Sequence, residues 1–163
     1  GNEKYFKKYK IGDSSVYHIV PGAGVNLIHF KKNQYKKYMD TNTICFQYIG
    51  RIMKDKGVDE LFQAAEYMKN KYANIKFQVV GFYDELDYKD KISDLVEKHT
   101  IDFLGVSEDT RDEMSRADCI VLPSYHEGMS NVLLEGAAMG LPLITTDIHG
   151  CKEAVDDGEN GIL

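Results

Sequence analysis

Hydrophobic and polar residues follow two patterns along this chain, short apolar runs and longer stretches with helical spacing. The runs are each about the length of a β-strand, are rich in β-branched or aromatic residues, and are bounded by Gly, Pro or charged residues. Several are apolar throughout, which is typical of strands covered on both faces. The predicted strands are residues 16–20, 43–49, 75–80, 101–104, 119–122 and 143–146.

Helical patterns separate these runs. In residues 58–72 the apolar positions recur every three or four residues, which places them on one face of a helix. Strand–helix alternation of this kind predicts an α/β fold with a doubly wound parallel sheet, of the Rossmann-like type. Ligands of such sheets bind at the carboxyl ends of the strands, beside helix N-termini. Further helices are predicted over 87–99, 110–117 and 131–139, the last with Ser130 and Asn131 as caps and Gly140 as its stop.

Composition narrows the class of protein. The 163 residues fit one domain with its own core, and 43% hydrophobic residues are ordinary for a globular protein. No apolar run approaches the length of a membrane span and no secretory signal is present, so we expect a cytoplasmic protein. The three cysteines have no metal-ligand spacing, so we interpret them as small buried hydrophobic residues in a reducing compartment.

Charge is unevenly distributed. The net charge is −6, but residues 1–37 carry eight lysines against Glu3 and Asp13, which leaves +6 there and −12 elsewhere. The basic segment is suited to an anionic membrane or an acidic partner, although a solvated lysine face is the plainer interpretation. The acidic remainder, and the lack of aromatic residues spaced among the lysines, argue against nucleic acid. An apolar run begins at Gly161 just where the chain stops, so we expect part of a longer protein.

A first group of candidate residues follows the strand at 43–49 and precedes the helix at 58–72. Gly50 and Gly57 permit tight turns out of the strand and into the helix. Arg51 and Lys56 then converge on an anion, since a guanidinium grips it as a fork and an ammonium as a point charge. The segment is neither a Walker loop nor a Gly-x-Gly-x-x-Gly motif. A loop merely coated with basic residues is the alternative.

A second group spans residues 123–136. Glu127 is predicted in a loop at the sheet edge, and Glu135 in the first turns of a helix among apolar neighbours. A carboxylate accepts two hydrogen bonds in one plane, which suits the paired hydroxyls of a ribose or hexose. The backbone N–H groups of 128–131 open the helix and attract phosphate or sugar oxygens. A surface position is the alternative for Glu135, but its apolar neighbours indicate a buried acid that needs a partner.

Two further signals, one inside this group and one after it, are weaker. His126 is interpreted as an ordinary loop residue rather than a reactive one. Residues 147–153 follow the strand at 143–146 and are predicted to open another helix, so that their amides also face a ligand.

In this order, the segments closely resemble family 4 of the glycosyltransferases, group 1 type, which have the two-domain GT-B fold. The resemblance spans nearly the whole chain. Upstream, Gly22-Ala23-Gly24-Val25-Asn26 with Phe30 is similar to the segment that joins the two domains of the family. Downstream, the resemblance is carried by Gly50-Arg51, Lys56-Gly57, Phe103-Leu104-Gly105, Ala117-Asp118, Pro123-Ser124, Glu127 with Glu135, Gly140-Leu141-Pro142, Gly150 with Glu153, Asp157-Gly158 and Asn160-Gly161.

The resemblance implies that residues 1–163 are a C-terminal donor-binding domain, with 1–40 on the interdomain side and the N-terminal acceptor domain absent. The whole enzyme would retain anomeric configuration and move a hexose from a nucleoside-diphosphate sugar to a glycan or lipid-linked acceptor. The Glu127-Gly-Met-Ser-Asn loop is similar to bacterial enzymes of surface or capsular polysaccharide synthesis. Such an enzyme would work in the cytoplasm, with peripheral association at the inner face of the membrane. This part alone would bind donor weakly and turn over little.

The resemblance also implies residue roles. The donor is of the UDP or GDP type, and neither a metal nor another cofactor is required, in keeping with the lack of an Asp-x-Asp triplet. Arg51 and Lys56 would neutralise the diphosphate and Glu127 would contact the transferred sugar. The donor-binding set would comprise Glu135 at the ribose, the amides of Gly128, Met129, Ser130 and Asn131 at sugar or phosphate oxygens, Val106 at the base, and Gly24 in the interdomain segment.

Two departures from the family pattern affect the base-binding region. Gly81-Phe82-Tyr83 stands where the family often has Gly-x-Gly, so a bulkier loop is expected, and the segment after Gly105 is short.

Two other classes of protein remain open as alternatives. One is a Rossmann-type nucleotide-cofactor oxidoreductase domain, and the other is a non-catalytic interaction domain that kept the fold. The missing Gly-x-Gly-x-x-Gly argues against the first, and the intact Arg51, Lys56, Glu127 and Glu135 against the second.

Overall fold

Six parallel strands form one sheet in a computed structural model of the chain, which describes residues 2–13, 18, 22–31 and 42–163. Short 3-10 helices span Lys54–Lys56 and Lys152–Ala154. The elements in chain order are α1 Asn2–Lys8, β1 Ile44–Ile49, α2 Val58–Lys71, β2 Ile75–Val80, α3 Tyr88–Glu97, β3 Asp102–Gly105, α4 Thr110–Met114, β4 Cys119–Leu122, α5 Asn131–Ala138, β5 Leu143–Thr145 and β6 Gly161–Ile162.

The strand order is β3-β2-β1-β4-β5-β6, and every pair is parallel. This is the doubly wound, Rossmann-like architecture predicted from the alternation of elements. The chain winds outward in one direction from β1 to β3, then returns to pair β4 with the other edge of β1. The loops after β1 and β4 therefore leave the sheet on opposite sides of a crevice at the carboxyl ends of the strands, where ligands of such folds bind.

Most predicted elements are confirmed to within two residues of their bounds. The helix predicted over 110–117 is shorter, because the chain tightens after α4 into turns in which the Arg116 and Ala117 N–H groups donate to carbonyls three residues back. The helix predicted within 147–153 is wrong, since only a 3-10 turn forms there. Apart from His18, the strand predicted over 16–20 lies outside the described residues.

The core lies between the sheet and its helices. The predicted apolar face of α2 is confirmed, with Val58, Leu61, Phe62 and Ala65 all at most 2% exposed. Burial of each such large side chain contributes about 1.5–3 kcal/mol. The three cysteines are buried, as interpreted from the sequence. No helix in the described ranges is long and apolar enough to cross a membrane.

One polar pair lies inside this core. Gln47 on β1 is fully buried, and its Nε2 donates to Gln78 Oε1 on β2 at 3.2 Å and to the Glu113 carbonyl on α4 at 3.0 Å. This buried amide fixes α4 over the sheet.

Candidate functional site

The loops that follow β1 and β4 meet at the switch point of the sheet. The first loop ends at Gly57, whose φ of +68° is the left-handed turn into α2. A Cβ on Gly57 would lie 1.9 Å from the Pro123 carbonyl oxygen, so only glycine allows this approach. The Tyr125 N–H donates to the Asp55 carbonyl at 2.9 Å across the same junction. The structure therefore brings the two predicted groups, 50–57 and 123–136, together.

Lys56 and Glu127 form an ion pair at this junction. Lys56 Nζ lies 2.7 Å from Glu127 Oε1, and the two side chains are only 13% and 14% exposed. The ammonium also donates to the His126 carbonyl at 3.3 Å, which leaves one of its three N–H groups without an acceptor among the described residues. Glu127 Oε1 accepts a second hydrogen bond, while Oε2 accepts none from the described part of the chain. Each member of the pair therefore keeps one group available for a ligand.

Ser124 is a site residue to which the sequence assigned no role. It is fully buried, and its Oγ lies 3.1 Å from Glu127 Oε1, the oxygen that also meets Lys56. The Asp55 and His126 carbonyls lie 3.3 Å and 3.4 Å from the same hydroxyl. A small hydroxyl directly after an apolar strand, three residues before a loop acid, is the signal that indicates it. Glu127 Oε1 is the nearest of the three acceptors, so Ser124 and Lys56 meet the same oxygen of Glu127.

The loop after β5 supports the Glu127 loop from behind. A Cβ on Gly150 would lie 2.6 Å from the Gly128 carbonyl oxygen and 2.7 Å from the carbonyl carbon of Glu127, and its φ is +90°. The Gly150 N–H donates to Glu153 Oε2 at 2.7 Å. The expectation that the amides of 147–153 face a ligand is therefore wrong at Gly150, because Glu153 takes that N–H.

The N-terminus of α5 opens beside the ion pair. Ser130 caps it as predicted, with its Oγ accepting from the Leu133 N–H at 3.4 Å. The sequence predicted that the Ser130 amide binds a ligand. That prediction is wrong, because the Ser130 N–H donates to the Gly150 carbonyl at 2.8 Å. The amides of Gly128, Met129 and Asn131 donate to no acceptor within the described ranges. Three of the four predicted amides thus remain able to bind an anion.

Glu135 lies one helical turn beyond Asn131, on the same side of α5. It is partly buried, and this burial raises the pKa of its carboxyl group. The partner that its apolar surroundings predict is not found, because no hydrogen bond or ion pair from the described residues reaches the carboxylate. An unpaired acid in such a place costs folding free energy, which is characteristic of groups that serve a ligand.

Arg51 is placed at the carboxyl end of β1, but apart from the Lys56 pair. Its guanidinium lies 2.9 Å from Asp84 Oδ2, and the two side chains are 49% and 37% exposed. The backbone of Arg51 is held in place because the buried Tyr48 hydroxyl donates to the Arg51 carbonyl at 2.6 Å. An exposed ion pair contributes at most about 1 kcal/mol, so an incoming anion can exchange for Asp84.

The remaining predicted residues border the site. Val106, 69% exposed, lines a groove of about 250 Å³ that Arg51 also lines. Gly24 has a φ of +72° and open space around its Cβ position. Its neighbour Gly22 approaches Met129 closely, since a Cβ there would lie 2.9 Å from the Met129 Cβ. The segment around Gly22 therefore contacts the loop that carries Glu127.

The Lys56–Glu127 pair gives a direct test of the site geometry. Replacing Lys56 with Met should lower the free energy of unfolding by about 2 kcal/mol, because Glu127 is then left mostly buried with one donor fewer. The double variant with Glu127→Gln should recover most of this loss in a double-mutant cycle followed by urea denaturation. Strictly additive losses would show that the two side chains do not interact.

Residues 43–163 match the family model described as "Glycosyl transferases group 1". The chain is 30% identical over 135 residues to the capsular polysaccharide biosynthesis glycosyltransferase CapM of Staphylococcus aureus, covering 81% of this chain and 35% of that protein. The chain thus spans about a third of the length of this curated relative.

Solved glycosyltransferase structures are also similar to this chain. The C-terminal domain of a group 1 family glycosyl transferase, LpcC of Francisella tularensis, has a TM-score of 0.73 at 27% identity, over 86% of this chain and 79% of that one. Anabaena HepE, solved in complex with UDP and glucose, has a TM-score of 0.77 at 18% identity, over 99% of this chain and 46% of that one. The fold is therefore one Rossmann-like half of a GT-B fold, and the oxidoreductase alternative is not favoured. With its family match over most of its length, this chain belongs to the group 1 glycosyltransferases.

Proposed function

We propose that this chain is the C-terminal, donor-binding domain of a retaining family 4 glycosyltransferase. The whole enzyme would move a hexose from a nucleoside-diphosphate sugar to a glycan or lipid-linked acceptor in surface or capsular polysaccharide synthesis. The observation that carries the proposal is the Lys56–Glu127 pair, which lies at the switch point of the sheet and beside the N-terminus of α5. Within the described part of the chain, the pair presents one unbonded donor and one unbonded acceptor side by side, as a phosphorylated sugar requires.

The diphosphate binds where positive charge converges. Lys56 gives its third N–H to a phosphate oxygen, and Arg51 exchanges Asp84 for another. The unbonded amides at the start of α5 add the positive end of a helix dipole. These groups stabilise the charge that grows on the nucleoside diphosphate as it leaves. Because the charge is neutralised by these residues, we propose that no metal or other cofactor is required, and activity should survive chelation of divalent ions.

The two acids then bind different parts of the donor. Glu127 Oε2 accepts from hydroxyls of the transferred sugar, while Oε1 stays with Lys56 and Ser124. Glu135, which has no partner within the described ranges, accepts from the ribose hydroxyls. Anchoring at both ends of the donor leaves the anomeric carbon between the diphosphate and Glu127.

We propose that the acceptor attacks from the face that the diphosphate leaves. Glu127 is paired with Lys56 and Ser124, and this neutralisation lowers its reactivity as a nucleophile, which disfavours a covalent sugar–enzyme intermediate. A phosphate oxygen of the leaving group then takes the acceptor's proton. This route retains the anomeric configuration without a carboxylate on the opposite face.

The acceptor side belongs to the part of the enzyme beyond this chain. We propose that an N-terminal domain binds the acceptor and closes the crevice, and that this chain alone turns over little. Lys7 and Lys8 at the end of α1, beside exposed Tyr5 and Tyr9, support peripheral association with an anionic membrane at its cytoplasmic face.

Calorimetric titration with UDP, GDP and ADP tests the donor site directly. We expect micromolar to millimolar binding of at least one diphosphate, and weaker binding of the matching monophosphate, since Arg51 and Lys56 lose a phosphate to contact. No binding of any diphosphate at millimolar concentration by a folded chain would refute the donor-site proposal.

A further inference from the structure

An exposed aromatic residue borders the site without a role from the family resemblance. Phe82 follows Gly81 at the carboxyl end of β2, in the loop that departs from the family's Gly-x-Gly pattern. Its side chain is 49% exposed, although it is large and apolar. An isolated exposed phenylalanine needs no explanation, but this one lines a groove together with Arg51, which the proposed donor site also uses.

The loop holds Phe82 in place by its backbone and not by its ring. The Phe82 carbonyl accepts from the Ile52 N–H at 2.8 Å, next to a parallel bridge between Ile52 and Tyr83. Tyr83 packs on Phe103 with ring centroids 5.2 Å apart, and the Lys89 ammonium lies 5.9 Å from the Tyr83 ring. The neighbouring residue thus packs the loop, while the Phe82 ring has no stacking partner within the described ranges and lines the groove.

The groove has the dimensions and lining of a site for a flat ring. It encloses about 250 Å³, below the roughly 300 Å³ at which pockets for drug-sized ligands begin. Its apolar lining includes Phe82 and the 69% exposed Val106, and Ser107 and Thr110 supply hydroxyls. Arg51 also lines the groove and is shared with the proposed diphosphate site. A ring joined through a sugar to a diphosphate at Arg51 has this groove within reach.

We propose that Phe82 is the stacking residue for the nucleobase of the donor, a role specific to this chain's loop sequence. The proposal rests on the proposed function, because it requires a nucleoside diphosphate at Arg51. Every base has a π-face, so Phe82 increases the affinity for any nucleotide without choosing among bases. Discrimination between bases then falls to the hydroxyls of Ser107 and Thr110 and to the backbone beside Val106.

The test compares two ligands across three variants. We expect Phe82→Ala to weaken the binding of UDP or GDP roughly tenfold or more, the order of effect of lost base–aromatic stacking. Binding of inorganic pyrophosphate, which has no base, should stay within twofold of wild type. Phe82→Tyr keeps a ring and should retain nucleotide affinity, and Tyr67→Ala, which removes an exposed aromatic residue from α2, should change neither affinity.

The outcomes separate the two proposals. Wild-type binding of UDP that survives Phe82→Ala unchanged would overturn the role of Phe82 and leave the donor site standing. A parallel loss of pyrophosphate binding would overturn it as well, because the ring would then act on the loop and not on the base. Failure of the wild type to bind any nucleoside diphosphate would refute both.

Discussion

Replacing Gly57 with alanine is expected to lower the free energy of unfolding by about 2–5 kcal/mol. Two costs combine. A left-handed φ of +68° costs an L-residue about 1–2 kcal/mol, and the new Cβ would lie 1.9 Å from the Pro123 carbonyl oxygen, which forces the two loops apart at a further cost of about 1–3 kcal/mol or more. Chemical denaturation measures the change.

Gly158→Ala is the matched control for that substitution. Its φ of +80° is also left-handed, but nothing lies within 4 Å of its Cβ position. It should therefore lose only the conformational cost of about 1–2 kcal/mol. The same small loss in both variants would show that the loops after β1 and β4 do not press together as described. Because the forced separation moves Lys56 away from Glu127, any folded Gly57→Ala protein should also bind nucleotide poorly.

Glu135→Gln should change stability and binding in opposite directions. The partly buried carboxylate has no partner among the described residues, so its neutral replacement should raise the melting temperature at pH 7–8. The same substitution should weaken the binding of UDP or GDP by about 1.5–3 kcal/mol, the range for a hydrogen bond to a charged group. Thermal unfolding and calorimetry on one preparation measure both effects.

The pH dependence of stability follows from the same group. Burial raises the folded-state pKa of Glu135 above its value in the unfolded chain. The carboxyl group therefore adds stability that is fully present below the unfolded-state pKa and is lost as the pH rises through the folded-state pKa. Glu135→Gln should remove this part of the pH profile. The exposed Glu97 at the end of α3 is the control, and Glu97→Gln should leave stability and affinity nearly unchanged. A Glu135→Gln protein that is less stable yet binds nucleotide normally would identify Glu135 as a structural residue.

The architecture was predictable because its signals are local. The spacing of apolar residues in α2 and the apolar strands β2 and β4 need only neighbouring residues to be recognised. The placement of the 50–57 and 123–136 segments at one edge then follows from the parallel sheet, since carboxyl ends of parallel strands share an edge.

The detailed contacts of the site were not predictable, because they join residues far apart in sequence. Lys56 and Glu127 were assigned to different parts of a ligand, and their mutual pairing depends on how closely Gly57 approaches Pro123. The Ser130 amide is occupied because the left-handed turn at Gly150 brings a carbonyl to it. Neither contact leaves a pattern in a window of neighbouring residues.

The sequence also could not identify what binds Glu135. A buried acid among apolar neighbours correctly indicated an unusual carboxylate, and the general need for a partner suggested one within the fold. The described residues supply none, so the sequence rule identified the position but not what binds it. A ligand hydroxyl would supply the hydrogen-bond donor that the described residues do not give to Glu135.

Mapping of amide chemical shifts by NMR during addition of UDP or GDP tests whether a nucleoside diphosphate binds at the switch point between β1 and β4. We expect the largest shifts at Gly128, Met129 and Asn131, whose amides are unbonded within the described part of the chain, with smaller shifts at Ser130, whose N–H is held by Gly150. Shifts confined to the opposite, amino-terminal edge of the sheet, or absent at saturating nucleotide, would contradict it.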